Sequence, residues 1–214
     1  MCKPVLSFHD ADFFSSNRKA HPFDECVCKK KISAARGLQK KSWSYKWSQI
    51  MNIRKANTED AARIFSFVKE AVNKMDGQGI NQWDEFYPTQ DDFENDASKN
   101  QLYIVEIDGR PAACFTLNKD CDEEYKNGSW VHTGDNYIVI HRLCVNPEFQ
   151  NQGLGRKVCI EIENLVKPQG IKSIKLDCFT QNPYSQKLYH KLGYSDVGFA
   201  DWRKGRFILM EKVL

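Results

Sequence analysis

From residue 51 onward, apolar positions recur with a period of two or of about 3.6, the periods of strand and helix. MNIRKA (51–56) alternates and predicts a first strand. Thr58 is the expected cap of a helix. Ala61, Ile64, Phe65, Val68, Ala71 and Val72 then repeat at helical spacing until Gly77 and Gly79 end the run. Thr89 heads a second helix over QDDFENDASKN. QLYIVEI and PAACFTLN flank Asp108-Gly109, the pattern of a hairpin with a tight turn. A polar, acidic loop (KDCDEEYKNG) leads to the strand NYIVIHRLCV. A helix is expected over 153–167 with Gly170 after it, then the strand IKSIKLDCF, then the helix PYSQKLYHKLG closed by Gly193. YSDVGFA and RFILMEKVL finish the chain as strands. The order β-α-α-β-β-β-α-β-α-β-β predicts an α/β fold of the α+β type, a mixed sheet with helices packed on it.

Residues 1–50 carry no such period, which divides the chain into a basic N-terminal extension (1–50) and a folded domain (51–214). Three readings of the extension stand open. It is a disordered tail, or a start placed upstream of the true one at Met51, or a functional appendage. As an appendage, Cys26 and Cys28 near His21 would hold a metal, although Cys-x-Cys is too tight and too incomplete for a zinc finger. The alternating Trp43, Tyr45 and Trp47 would pack as a strand. No metal is expected elsewhere.

Composition narrows the class. The chain has 214 residues, 41% apolar and 28% charged, ordinary for a soluble globular protein. No apolar run approaches the roughly 20 residues that cross a bilayer, so no membrane partner is expected. No apolar stretch follows the first Lys as a secretory leader requires. The eight cysteines are scattered, mostly within apolar patterns, and are expected as reduced thiols of a cytoplasmic protein. Residues 1–50 hold 10 Lys+Arg and 4 Asp+Glu, and the remainder holds 21 and 24. The folded domain is therefore mildly acidic. That argues against nucleic acid as its partner and suits a cationic substrate.

The strand that ends at Val145 leads into QNQGLGRK, where two glycines open a helix. Free N–H groups and the positive end of the helix dipole favour an anion there. The phosphate loop of nucleotide triphosphatases does not fit, because no Gly-Lys-Ser/Thr follows. A dinucleotide fingerprint fits little better, although Asp177 ends the next strand where a ribose-binding acid would stand. Val158 takes the third glycine position, and the loop 146–152 is too long for a tight turn.

Gln150-x-x-Gly153-x-Gly155 resembles the acyl-CoA-binding motif of the GNAT superfamily of N-acetyltransferases. QNPYSQKLYHKLGY resembles that family's second motif, through Asn182, Ser185, Tyr189 and Gly193-Tyr194. The element order after Met51 is similar too. The resemblance implies that acetyl-CoA is the co-substrate. Its pyrophosphate would be cradled by the backbone of Gln150, Asn151, Gln152, Gly153, Leu154, Gly155 and Arg156. Pantetheine would pair along Leu143, Cys144 and Val145, where two parallel strands splay. Asn182 and Ser185 would bind the cofactor or order the loop before the last helix. The packing alternative is that Gly153 and Gly155 only let the helix approach the strand.

The implied reaction is attack of an amine on the thioester in a ternary complex. Freeing the lone pair of a primary amine at pH 7 costs about 4–5 kcal/mol, so a base is expected. His141 is the base candidate: it lies two residues before Leu143, hence on the same strand face, with Arg142 opposite. A structural histidine is the competing reading, and Asp177 is a second base. Tyr189 is the expected donor to the leaving thiolate, with a buried aromatic as its competing reading. Cys144 is expected as core and not as nucleophile. Trp83, Tyr87 and Trp130, together with Phe86, Pro88 and Tyr125, are expected to wall the acceptor site, and Asp120, Asp122, Glu123 and Glu124 would attract a small cationic amine. Alternatively these aromatics are core and the acids a solvated loop. A non-catalytic CoA-binding module and a protein or peptide acetylase are the competing functions, and a homodimer is left open.

Overall fold

The computed structural model describes residues 51–214. The readings placed on His21, Cys26, Cys28, Trp43, Tyr45 and Trp47 lie outside the described residues.

The expected element order is present. Strands β1 (Met51–Lys55), β2 (Leu102–Ile107), β3 (Arg110–Asn118), β4 (Tyr137–Val145), β5 (Ser173–Phe179), β6 (Ser195–Trp202) and β7 (Gly205–Val213) form one sheet. Its strand order is β1-β2-β3-β4-β5-β7-β6. Only β4 and β5 pair in parallel. The helices are α1 (Thr58–Asp76), α2 (Gln90–Ser98), α3 (Leu154–Val166) and α4 (Pro183–Lys191). Helices α1 and α2 cover one face through Ile64, Val68 and Phe93, packed on Leu102, Ile104 and Cys114. On the other face α3 and α4 seat Val158, Ile162 and Tyr189 against Phe115, Leu176 and Met210.

Local chemistry sets the boundaries. α1 starts one residue earlier than its Thr suggests. The Asn57 side chain accepts from the Asp60 N–H (2.9 Å), and the Asp60 carboxylate accepts from the Asn57 N–H (3.0 Å). That is a reciprocal cap which Thr58, one position inside the helix, is not placed to make. Thr89 caps α2 as expected, and it does so in the same kind of box, with Asp92. The β2–β3 turn has Asp108 and Gly109 both left-handed (φ 52° and 73°), the geometry that joins two twisted strands in two residues. All five cysteines among the described residues are free thiols, and no described helix is long and apolar enough to cross a membrane.

Candidate active site

Two departures from regular pairing open the sheet at its centre. β4 and β5 pair only from Tyr137–Ser173 to Val139–Lys175. Beyond that point β4 runs on to Val145 and β5 to Phe179 with no ladder between them. On the other side of β4, Thr116 pairs with His141 and Cys114 with Cys144, so β4 carries one extra residue. The extra length is a bulge at Arg142, whose φ is +49°. A non-glycine residue holds that conformation only when its surroundings fix it. Here the buried Asp96 of α2 accepts from Arg142 Nε (2.9 Å) and Nη2 and from Thr116 Oγ1 (2.7 Å), while Arg142 Nη1 donates to Tyr87 Oη (2.8 Å).

The bulge overturns the face assignment expected from strict alternation. His141 stays level with Thr116 on the α1/α2 side. Arg142, expected opposite, reaches α2 as well, and Leu143 packs with the α3/α4 cluster. A cleft of about 1320 Å³ passes through the opening. On the α1/α2 side Trp83, Tyr87, Tyr125, His141 and Asp177 line it. On the other side Leu143, Val145, Gly153, Gly155, Leu188 and Tyr189 do.

The turn after β4 is shaped for an anion. Gln150 Nε2 donates back to the Val145 carbonyl (2.9 Å) and Gln152 Nε2 to that of Glu148 (3.0 Å), so both side chains brace the loop. Asn151 and Gly153 are left-handed, at φ 60° and 80°. Gly153 caps α3 without any side chain, and the first bond onto the helix is Lys157 N–H to the Gly153 carbonyl. The N–H groups of Leu154, Gly155 and Arg156 are therefore the unmatched donors of the helix start. A Cβ on Gly155 would stand 3.6 Å from Val145 and Leu188, ordinary contact. Helix–strand packing by itself does not demand glycine at 155. Cys144, on the strand before the loop, is buried, and its thiol is pushed up to about 12. That suits core and not a nucleophile.

Helix α4 brings Tyr189 to the cleft, 8% exposed and edge-on to Tyr194. Burial pushes its hydroxyl well above the phenol range. Asn182 caps α4 by accepting from the Ser185 N–H (3.2 Å) and donates to Gln82 Oε1 (2.7 Å). Ser185 Oγ donates to the Asn182 carbonyl and touches Cys178 Sγ, both at 3.1 Å. Both residues line the cleft with side chains already engaged in building its wall.

Across the opening from His141, continuing the Val139–Lys175 register, stands Asp177. Burial raises its carboxyl to about 6, against the Tyr125 hydroxyl, which donates to Oδ1 at 2.8 Å and lowers it. Burial, then Arg142, lowers His141, so its imidazole is neutral at pH 7. Its Nε2 is buried without a hydrogen-bond partner among the described residues. Trp83 and Tyr87 line the cleft. Trp130 does not. It stacks behind Tyr125 at 5.6 Å and donates Nε1 to the Tyr125 carbonyl. The partners of these groups escaped the sequence: nothing in the unpatterned 119–136 loop marks Tyr125 as the residue that touches Asp177.

One further tie crosses the α1/α2 side. Asp84, in the α1–α2 loop, accepts both Arg203 Nη1 and Nη2 (2.7 and 2.9 Å) and pairs with Lys204 (3.3 Å) at the tip of the β6–β7 hairpin.

Comparison with known proteins agrees with this architecture. The model of the acetyltransferase (GNAT) family matches residues 47–194. The uncharacterized N-acetyltransferase YesJ of Bacillus subtilis is 27% identical over 143 residues, 65% of this chain and 79% of its own length. A GNAT-family acetyltransferase of Streptococcus agalactiae superposes with a TM-score of 0.68 at 24% identity, covering 77% of this chain and 95% of that one. The PaiA N-acetyltransferase of Thermoplasma acidophilum, solved in complex with coenzyme A, gives 0.58 at 20% identity over 77% and 99%.

Proposed function

The chain belongs to the acetyltransferase (GNAT) family, and from that premise we propose that it moves the acetyl group of acetyl-CoA to the primary amine of a small cationic molecule, by direct attack in a ternary complex. The opening between β4 and β5 carries this reading, because it joins an anion-binding turn on one side to an aromatic, acidic recess on the other.

The N–H groups at the start of α3 hold the pyrophosphate. Pantetheine runs along Leu143, Cys144 and Val145 as an added strand, which brings the thioester to the opening. The amine enters beside Trp83 and Tyr87, whose rings favour a cation, and meets Asp177. A carboxylate there both attracts the ammonium and takes its proton. The neutral His141 across the opening would only do the second, so Asp177 takes the role of base and His141 ranks second. Transfer from a free ammonium to a group near 6 is uphill by about 6 kcal/mol, and desolvating the ammonium in the recess lowers that cost. The amine nitrogen then attacks the carbonyl carbon, the C–S bond breaks, the thiolate accepts a hydrogen bond from Tyr189, and the second proton that the nitrogen sheds on becoming an amide ends on the departing sulfur. Full proton transfer from an ordinary phenol to a thiolate is uphill by about 2 kcal/mol, and by more from Tyr189, whose burial raises it, so hydrogen bonding precedes it. The tie from Asp84 to Arg203 and Lys204 crosses the amine's side, which favours a small acceptor over a peptide.

Release of CoA thiol from acetyl-CoA tests this with alkyl diamines, benzylamine, tyramine and basic peptides. Small amines should turn over, with kcat/KM rising with pH through an ionisation near 6 as Asp177 loses its proton. Asp177→Asn should lower kcat about 100-fold or more, and His141→Ala less than about 10-fold. Tight acetyl-CoA binding with no turnover of any amine would point to a non-catalytic module.

A further inference from the structure

The 119–136 loop is more firmly built than its polar sequence suggests, and its construction converges on one side chain. A short 3-10 turn, Glu123–Asn127, carries Tyr125, which is buried. The Tyr125 ring lies between Trp130 (5.6 Å, near parallel) and Trp202 (6.2 Å, tilted). Trp130 Nε1 donates to the Tyr125 carbonyl at 2.8 Å, so the indole fixes the ring and the backbone of the same residue. The following residues are fastened to the sheet. The Ser129 N–H donates to the Val197 carbonyl of β6 (2.7 Å). The buried Glu211 carboxylate of β7 accepts the Val131 and His132 N–H groups (2.6 and 3.2 Å). At Gly198 the loop comes so close to β6 that a Cβ would meet the Asn127 carbonyl at 2.7 Å. From this assembly the Tyr125 hydroxyl reaches into the cleft and donates to Asp177 Oδ1 at 2.8 Å.

We propose that Tyr125 is a positioning residue of this enzyme, whose hydroxyl fixes the Asp177 carboxylate at the opening of the sheet and keeps it ready to take the amine's proton. The inference rests on the reading of Asp177 as the base. The carboxylate stands among groups from several elements: Tyr125 and Asp122 from the loop, His141 and Arg142 from β4, Tyr87 from the α1–α2 loop and Tyr189 from α4. Within 3.5 Å, only Tyr125 is hydrogen-bonded to it by a side chain among the described residues. A donated hydrogen bond stabilises the ionised carboxylate and opposes burial, which stabilises the protonated one. Without the hydroxyl, burial prevails, and the base stays protonated to higher pH.

The test is a ¹³C carboxyl titration of the full chain, with the Asp177 resonance identified by its absence in Asp177→Asn. The wild-type midpoint should lie near 6, and Tyr125→Phe should move it up by about one pH unit, the worth of one hydrogen bond to a charged group. Site-specific 3-fluorotyrosine at 125 keeps the ring and the stack while strengthening the donor, so it should move the midpoint down even if the Phe variant folds poorly. A midpoint unmoved by both changes overturns the inference and leaves the base reading standing. The base reading fails separately if Asp177→Asn releases CoA from acetyl-CoA and benzylamine or tyramine as fast as wild type, and the inference then fails with it.

Discussion

Asp177 is subject to two opposed influences, burial that favours its protonated form and a tyrosine hydroxyl that favours its charge. The consequence for stability has a definite sign. Its folded value lies above the ordinary carboxylate value, so the folded chain holds a proton that the unfolded chain has released. The stability this confers is complete below about pH 4 and is lost as pH rises through about 6. Asp177→Asn should therefore flatten the fall in unfolding temperature between pH 4 and 6.5, which calorimetry across that window would read. On the proposed role of Tyr189 as donor to the leaving thiolate and not to the ground state, Tyr189→Phe should lower kcat while leaving KM for acetyl-CoA near its wild-type value. Steady-state kinetics with acetyl-CoA varied separates the two. At this scale the sequence marked His141, Tyr189, Trp83 and Tyr87, and all four line the cleft. It ranked Asp177 behind His141 as a base; the burial and the Tyr125 hydroxyl that act on Asp177 come from the fold, and spacing along the chain does not show them. Trp130 failed as a wall residue for the same reason: its indole faces the back of Tyr125.

The elements were legible where one local rule governs them. Thr89 with Asp92 and Asp108 with Gly109 behave as their types require. The bulge in β4 was not legible, because Arg142 takes a left-handed conformation that its own side chain disfavours. The conformation is held by Asp96, 46 positions away in sequence, and a period-two pattern cannot anticipate it. The two glycines of the anion turn separate conformation from space. Gly153 has φ +80°, and Gly153→Ala should destabilise the ligand-free protein by about 1–2 kcal/mol. Gly155 lies in the first turn of α3 with room for a methyl group. Gly155→Ala should be neutral or stabilising by up to about 1 kcal/mol. Denaturant unfolding of the two ligand-free variants should give shifts of opposite sign, or one shift only, at 153.

Across the whole domain, the order of strands and helices followed from hydrophobic periodicity, and the function is concentrated where that regular plan is interrupted. The sheet parts between its two parallel strands, the elements on either side line the cleft in which the cofactor turn and the acceptor recess are proposed, and the tie from Asp84 to Arg203 and Lys204 crosses the α1/α2 side. Arg203 is more than half exposed, so breaking the tie by Asp84→Ala should change stability little. It should nevertheless raise KM for small amines and admit larger ones, which kinetics on a size-graded amine series would show. The central claim is that the acetyl group travels through the opening onto a small amine. The most direct measurement follows labelled acetyl from acetyl-CoA by mass spectrometry, with the full chain offered the small-amine panel and a lysine-rich peptide in one mixture. The account predicts label on a small amine, little on the peptide, and loss of the product in Asp177→Asn. Label on the peptide alone, or acetyl-CoA bound and left intact, would contradict it.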